Sequence, residues 1–422
     1  MNDEPPGAEV TETQALTEPL DTMIRLLSFE GKQNPYPLYE ELRAHGGLVR
    51  LGDKHWLAVG YEECARALRA PGLLQTDAAM QDLRMPGWRE HSSWQWLTKN
   101  MLFSNEPDHD RMRRFFSSAF SAHSVSAFGP MVERLADEAV AHLEKAAAEG
   151  APEGVDLVEE LTYRLPIAVL GELLSIPPED QPGMHPLIKA ITTSMDPVGD
   201  LSQLNPGDAA MDKLAEYVAD LVDRRRAAPG TDLTSAFVKA RDAGSDLTEE
   251  DLVANLMAVI VAGSEAPQDL LGNSIRIAAQ HPEYAERIRE DAEFTARFLE
   301  EVLRFDPPVH ALNRVAGEDQ EFFGETVTRG SAVTLLIASG NRDPRRFTEP
   351  DRFDPDRPGN QKQLTFSAGA HYCLGAALAR MTAETLLPKL FRRFPDLAVV
   401  GTPGFRDQIV QRGHDRLPVT LG

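Results

Sequence analysis

The segment Phe366-Ser367-Ala368-Gly369-Ala370-His371-Tyr372-Cys373-Leu374-Gly375 runs straight into a helical stretch, Ala376-Ala377-Leu378-Ala379-Arg380. Cys373 therefore sits at a helix N-terminus, where free N–H groups and the helix dipole stabilise a thiolate. Gly369 and Gly375 remove side chains on both sides, so a large flat group can approach the backbone. Phe366 is placed to shield the sulfur from water. Such a thiolate suits an axial ligand to haem iron. Three other readings compete. A cysteine nucleophile needs a histidine, and His371 is close by. Zinc needs more ligands than this neighbourhood supplies. A plain buried cysteine leaves the glycines unexplained.

A second candidate lies in Ala262-Gly263-Ser264-Glu265-Ala266-Pro267. Gly and Pro both disfavour a helix interior, and Pro267 offers no N–H to the carbonyl of Gly263. The spacing predicts a helix that bends or opens there, leaving room for a small ligand beside the carboxyl of Glu265. A kink with an ion-paired glutamate is the plainer alternative.

These residues need scaffolding. Thr248-Glu249-Glu250-Asp251 is a capping-box-like start, and apolar residues then continue to about Gln280 on nearly all sides, which predicts a long buried helix. Helical period also marks 125–149, 156–174, 211–228 and 282–305. Short strands are expected at 48–51, 56–59, 321–323 and 332–336, and near 410 and 418–421. The fold class is therefore mainly α with a minor β region. Three patches lack periodicity, 73–99, 175–206 and 342–365, and long irregular segments often carry sites.

The chain has 422 residues, 42% of them hydrophobic and 26% charged, with a formal charge of −23 and two cysteines. Ordinary composition excludes disorder, and two cysteines exclude a disulfide scaffold. The acidity excludes a nucleic-acid binder. No stretch reaches the roughly 20 apolar residues of a membrane span. The first residues, Met1-Asn2-Asp3-Glu4-Pro5-Pro6, lack the apolar core of a secretory signal, so the expected compartment is cytoplasmic. Residues 1–20 read as a mobile tail. Cys64 sits in a helical pattern and reads as a small buried hydrophobe.

The cysteine loop resembles the haem-binding signature of the cytochrome P450 family: Phe, two residues, Gly, one residue, His or Arg, one residue, Cys, one residue, Gly. Other resemblances follow in order. Glu301-Val302-Leu303-Arg304 is similar to the family's Glu-x-x-Arg pair, and Pro350-Asp351-Arg352-Phe353 to the motif whose arginine joins it. Asn341-Arg342-Asp343-Pro344 and Phe353-Asp354-Pro355-Asp356-Arg357 resemble the meander of soluble bacterial members. His109-Asp110-Arg111-Met112-Arg113-Arg114 resembles the helix that reaches the haem propionates.

The resemblance, over roughly residues 30 to 420, implies one triangular helical prism over 21–422 rather than the two or three domains that length alone suggests. It implies haem b, with Cys373 as the metal ligand and His371, His109, Arg113 and Arg314 around the propionates, assisted by Phe366, Gly369 and Gly375. Glu301, Arg304 and Arg352 are structural, with Arg357 an alternative to Arg352. The activity implied is an iron-dependent monooxygenase, an oxidoreductase using O2 and two electrons from a ferredoxin and its NAD(P)H-dependent reductase. One departure stands out. Gly263 and Glu265 match the family's catalytic stretch, but Ala266 stands where a threonine normally carries protons. Ser264 faces about 200° away and is a poor substitute.

By family position, the substrate wall comes from Met85, Trp88, Met195, Val259, Ala262, Val309 and Leu312, with His310 a further polar candidate. The expected substrate is a small polyketide- or peptide-derived intermediate of secondary metabolism. Hydroxylation or epoxidation is the leading reaction. Oxidative coupling or peroxygenase chemistry is the enzymatic alternative, and a haem sensor or recruitment protein the non-enzymatic one. Arg111, Arg114, Arg380, Arg392 and Arg393 are expected to form a basic docking face on a monomer.

Overall fold

The helix that dominates the fold begins where its cap predicts. In the computed structural model, which describes residues 12–149 and 154–422, Thr248 Oγ1 accepts the Asp251 N–H at 3.0 Å and Asp251 Oδ2 accepts the Thr248 N–H at 3.0 Å. Three acids in the first turn complement the helix dipole. The central helix then runs unbroken over Glu249–Gln280, about 48 Å at 1.5 Å per residue. It does not end at Pro267, although that residue offers no N–H to the Gly263 carbonyl. Burial along most of its length, against helices Arg164–Leu174, Gln181–Thr193, Asn205–Ala227 and Ala292–Phe305, holds it helical despite the lost hydrogen bond. Gly263 serves one of these contacts: a Cβ there would stand 3.1 Å from Leu170 Cδ2.

Local chemistry corrects two other helix expectations. Residues 282–305 form two helices, Pro282–Glu290 and Ala292–Phe305, because Asp291 turns its carboxylate onto the Phe294 N–H at 2.9 Å and caps the second. Residues 156–174 open with a π-type turn, Val158–Thr162, before helix Arg164–Leu174. The patches without periodicity contain ordered elements, among them helices Ala78–Arg84, Ser92–Leu97 and Gln181–Thr193. Residues 1–11 of the expected tail lie outside the described residues, and helix Glu12–Leu27 takes up the remainder.

The β component is small. Its largest sheet runs, in spatial order, Leu48–Gly52, His55–Ala58, Ala332–Leu336, Ala311–Ala316 and Leu73–Leu74. The register pairs Leu312 with Leu335 and Arg314 with Val333. Strand alternation puts Leu312 and Arg314 on one face of the sheet. Sequence periodicity missed this strand because burial switches from one face to both along it, with Arg314, Val315 and Ala316 all buried.

A buried polar knot anchors the cysteine loop to the helices. Arg304 and Glu301 are fully buried and meet in a two-point ion pair at 2.7 and 2.8 Å. Arg304 also donates to the carbonyls of Asn341 and Pro350 at 3.0 and 2.9 Å. The third member is Arg357, not Arg352. Arg357 Nε reaches Glu301 Oε1 at 3.3 Å and its Nη2 donates to the carbonyls of Arg352 and Glu349. Arg352 lends only its carbonyl, while its side chain turns outward to Glu349.

Candidate functional site

Cys373 lies three residues before helix Ala376–Arg393, with accessible surface of its own although protein surrounds the sulfur. Its N–H donates to the Phe366 carbonyl at 2.8 Å, which folds the loop back under the sulfur. Burial around the sulfur pushes the Cys373 thiol pKa up. The backbone N–H groups of Gly375 and Ala376 and the charges of Arg113 and Arg380 oppose that shift. All four of these groups favour a thiolate, against the larger effect of burial. A Cβ on Gly375 would meet nothing within 4 Å, so that side of the loop is open. Gly369 has a different role. Its φ of +71°, and the Leu68 carbonyl oxygen 3.1 Å from where a Cβ would stand, require glycine for the turn itself. Phe366 is buried, with the Arg380 guanidinium 4.4 Å above its ring.

Beside the sulfur, helix Asp108–Ser117 and the sheet bring together the four expected donors. The His109 and His371 rings lie 4.1 Å apart. Arg113 Nη2 donates to the Tyr372 carbonyl at 2.7 Å. Arg314 is 3% exposed and, among the described residues, bonds only to the Gln75 side chain and the Asn313 carbonyl. Burial lowers its pKa to about 10. Burial, then His109, Arg314 and Arg113, pushes His371 down to about 3. Among the described residues neither arginine has a carboxylate partner, and Asp110 on His109 is the sole acid paired with the cluster. Two arginines without a carboxylate, one of them buried, call for an anionic ligand.

The otherwise buried central helix carries an open stripe of its own. Ala262 is exposed, and Ala258, Val259, Gly263, Ala266 and Pro267 are half-buried. These small residues recur at helical spacing and define one face. A cysteine sulfur with helix N–H groups, donors for carboxylates, and a flat wall of small side chains together fit a haem. No group of three or more His, Cys, Asp or Glu residues suited to a metal exists among the described residues, so the zinc reading finds no ligand set.

Glu265 does not point along that stripe. It is 3% exposed, and its Oε1 lies 3.4 Å from Arg406 Nη2. Burial raises its pKa against the pull of Arg406. Ser264 spends its hydroxyl on the Ile260 carbonyl at 2.7 Å, so it offers nothing to the pocket.

Of the expected wall, Met85, Met195 and Val259 are half-buried against one apolar cluster that includes Trp88, while Leu312 packs on the sheet cluster. Trp88 is buried and tied by its indole N–H to Asp82 at 2.9 Å. Val309 bridges to Gln411 of the C-terminal loop. His310 faces neither solvent nor pocket stripe: it is buried, with Nδ1 3.0 Å from the Tyr39 hydroxyl and the Tyr36 ring beside it.

The basic docking face is largely neutralised. Arg111 pairs with Asp251 at 2.7 Å and Asp108 at 3.1 Å, Arg380 with Glu300, and Arg393 with Glu144. Arg392 donates to the Arg289 carbonyl, and Arg114 alone of the five has no such partner among the described residues. Sequence reasoning also missed Arg406 and Asp269. Asp269 was legible as the residue one turn beyond Glu265. Arg406 was not, because it lies in an aperiodic loop.

A sequence profile of the family described as cytochrome P450 matches residues 50–176 and 184–396. A protein named putative cytochrome P450 140 from Mycobacterium tuberculosis is 35% identical over 410 residues, covering 92% of this chain and 89% of that one. The vitamin D(3) 25-hydroxylase of Pseudonocardia autotrophica is 32% identical over 400 residues, covering 92% and 94%. Among solved structures, the tirandamycin C-bound P450 monooxygenase TamI superposes with a TM-score of 0.82 at 30% identity, covering 94% of this chain and 99% of that one. With an exposed cysteine before a helix, a cationic cradle and an open stripe on the long helix already in place, the chain belongs to the cytochrome P450 family of haem-dependent monooxygenases.

Proposed function

We propose that this enzyme binds haem b and hydroxylates or epoxidises a mid-sized, mostly apolar natural-product intermediate of polyketide or peptide origin. Its electrons come from a ferredoxin and an NAD(P)H-dependent reductase, and it works as a cytoplasmic monomer. The observation that carries this reading is the pair Arg113 and Arg314, both without a carboxylate partner among the described residues, beside His371 and the Cys373 loop. Haem b suits the site because its carboxylates are its anchors. The only other cysteine, Cys64, is buried with Sγ 3.1 Å from the Ala58 carbonyl, remote from any covalent attachment. In the bound state haem iron supplies O2 activation, to which the thiolate adds electron density.

The chain's own residues do the rest. Cys373 ligates the iron, while the Gly375 and Ala376 N–H groups hold the sulfur's charge. Arg113, Arg314, His109 and His371 hold the propionates by charge-assisted hydrogen bonds. Ala262, Gly263 and Val259 form a flat wall. Met85, Met195, Val309 and Leu312, with Trp88 behind, exclude water from the substrate. The names of the vitamin D(3) hydroxylase and the tirandamycin-bound relative support a substrate of this size.

Ala266 has no hydroxyl, so the substrate's own hydroxyl or an ordered water completes the proton path. Ala266→Thr is then expected to leave turnover and coupling within about threefold. A rise towards the roughly 10²-fold that a positioned proton donor contributes overturns substrate-assisted delivery. The missing hydroxyl also favours a second reading, coupling or peroxide-driven oxidation. Product formation with ferredoxin, reductase and NAD(P)H, but not with peroxide alone, excludes it. In that assay Arg114→Glu is expected to slow reduction several-fold at low salt, with the effect fading at high salt. An unchanged rate removes Arg114 from the docking face.

A further inference from the structure

Two acids meet one arginine behind the open stripe. Asp269 lies one turn beyond Glu265 on the central helix, and both carboxyls contact Nη2 of Arg406. Each acid keeps one buried oxygen with no hydrogen-bond partner: Oε2 of Glu265 and Oδ1 of Asp269. A settled structural ion pair would satisfy those oxygens. One guanidinium cannot neutralise two carboxylates, so the group is short by one positive charge, and a single proton supplies it. The surroundings keep the proton there. A Cβ at Gly413 would overlap the Asp269 carboxyl, so backbone presses directly on that acid and leaves little room for solvent.

We propose that Asp269, Glu265 and Arg406 form a buried one-proton store that feeds the pocket from the C-terminal-loop side. Asp269 acts through Glu265. The proton leaves Asp269 for the free oxygen of Glu265, directly or across one water, and Glu265 passes it towards the face that carries Ala266. Asp269 then takes up a proton from bulk water, and no electrons move. The store explains how a helix without a hydroxyl at position 266 still receives protons.

The charged groups facing the pair come from every packed element: Arg406 and Asp415 from the C-terminal loop, Lys189 and His185 from helix Gln181–Thr193, and Asp196 just beyond it. Lys189 and Asp415 pair at 2.6 Å with both side chains about half exposed, which places solvent next to the store. Burial is the main cause that lifts Asp269 to about 7, and Glu265 adds to the lift. Asp269 therefore holds a proton above the usual carboxylate range.

This inference rests on the monooxygenase reading, but its test reads a different property. Infrared titration of the haem-loaded resting protein should reveal a protonated carboxyl band that disappears with a midpoint near pH 7. Asp269→Asn should lose that band. Glu265→Gln should keep it with a lower midpoint, because the neighbouring negative charge is gone. Turnover with substrate should fall roughly 10²-fold in either variant, the usual contribution of a positioned proton donor, and no further in the double variant. Asp269→Glu should restore both band and turnover, which separates proton supply from folding. A native protein without the band, a band that survives in Asp269→Asn, or full turnover in Asp269→Asn overturns the store. Loss of the haem–thiolate spectrum in the native protein would overturn the monooxygenase reading instead, and the carboxyl titration would still report on Asp269.

Discussion

Cys373→Ala should abolish the strongly red-shifted Soret band of the reduced, carbon monoxide-bound protein and cut turnover by on the order of 10⁴-fold, the scale of losing an indispensable catalytic group. The expectation follows from the loop. Nothing else there can supply sulfur, and the buried Cys64 points into the sheet, not at the pocket. The substitution also strips the acceptor from the N–H groups of Gly375 and Ala376, so the helix N-terminus faces the pocket with unanswered donors. Cys373→Ser separates the two effects. It keeps a small polar acceptor for those N–H groups but not the soft, electron-donating sulfur. Its far-ultraviolet circular dichroism should match the parent while the red-shifted band stays absent. A red-shifted band in either variant would remove Cys373 from the iron.

Arg304→Ala should cost about 3–5 kcal/mol of stability, the range for removing one partner of a buried ion pair. Glu301 would be left fully buried with only the more distant Arg357 at 3.3 Å and the Asp354 N–H at 2.9 Å. The carbonyls of Asn341 and Pro350 would lose their donor as well. These carbonyls belong to the segments that lead into the cysteine loop, so haem retention should fall together with the melting temperature. Arg352→Ala, whose side chain is exposed and pairs only with Glu349, should cost less than about 1 kcal/mol. Chemical denaturation of the two variants decides between them. Comparable losses would return Arg352 to the triad and displace Arg357.

That contrast shows where sequence reasoning reaches. The Glu301-x-x-Arg304 pair was legible through its resemblance to the family's motif, and three residues on a helix do place both side chains on one face. The third arginine was not, since Arg352 and Arg357 sit in aperiodic backbone and the choice depends on how that loop closes. The same holds for the central helix. Thr248 and Asp251 announced its start through a local exchange of hydrogen bonds, while its continuity through Pro267 required the helices packed around it. Arg111 and Arg393 looked like a docking face until the fold placed Asp251 and Glu144 against them.

Sequence alone determined the fold class, the cysteine proposed to hold the iron, and the absence of a hydroxyl at Ala266. Each of these is written in side-chain types at short, fixed spacing. Tertiary structure alone decided that Arg314 stands without a carboxylate, that Glu265 turns to Arg406, and that Asp269 shares it. Those partners lie more than a hundred residues apart in the chain, and only burial, which removes water as the competing partner, makes their charges matter to one another.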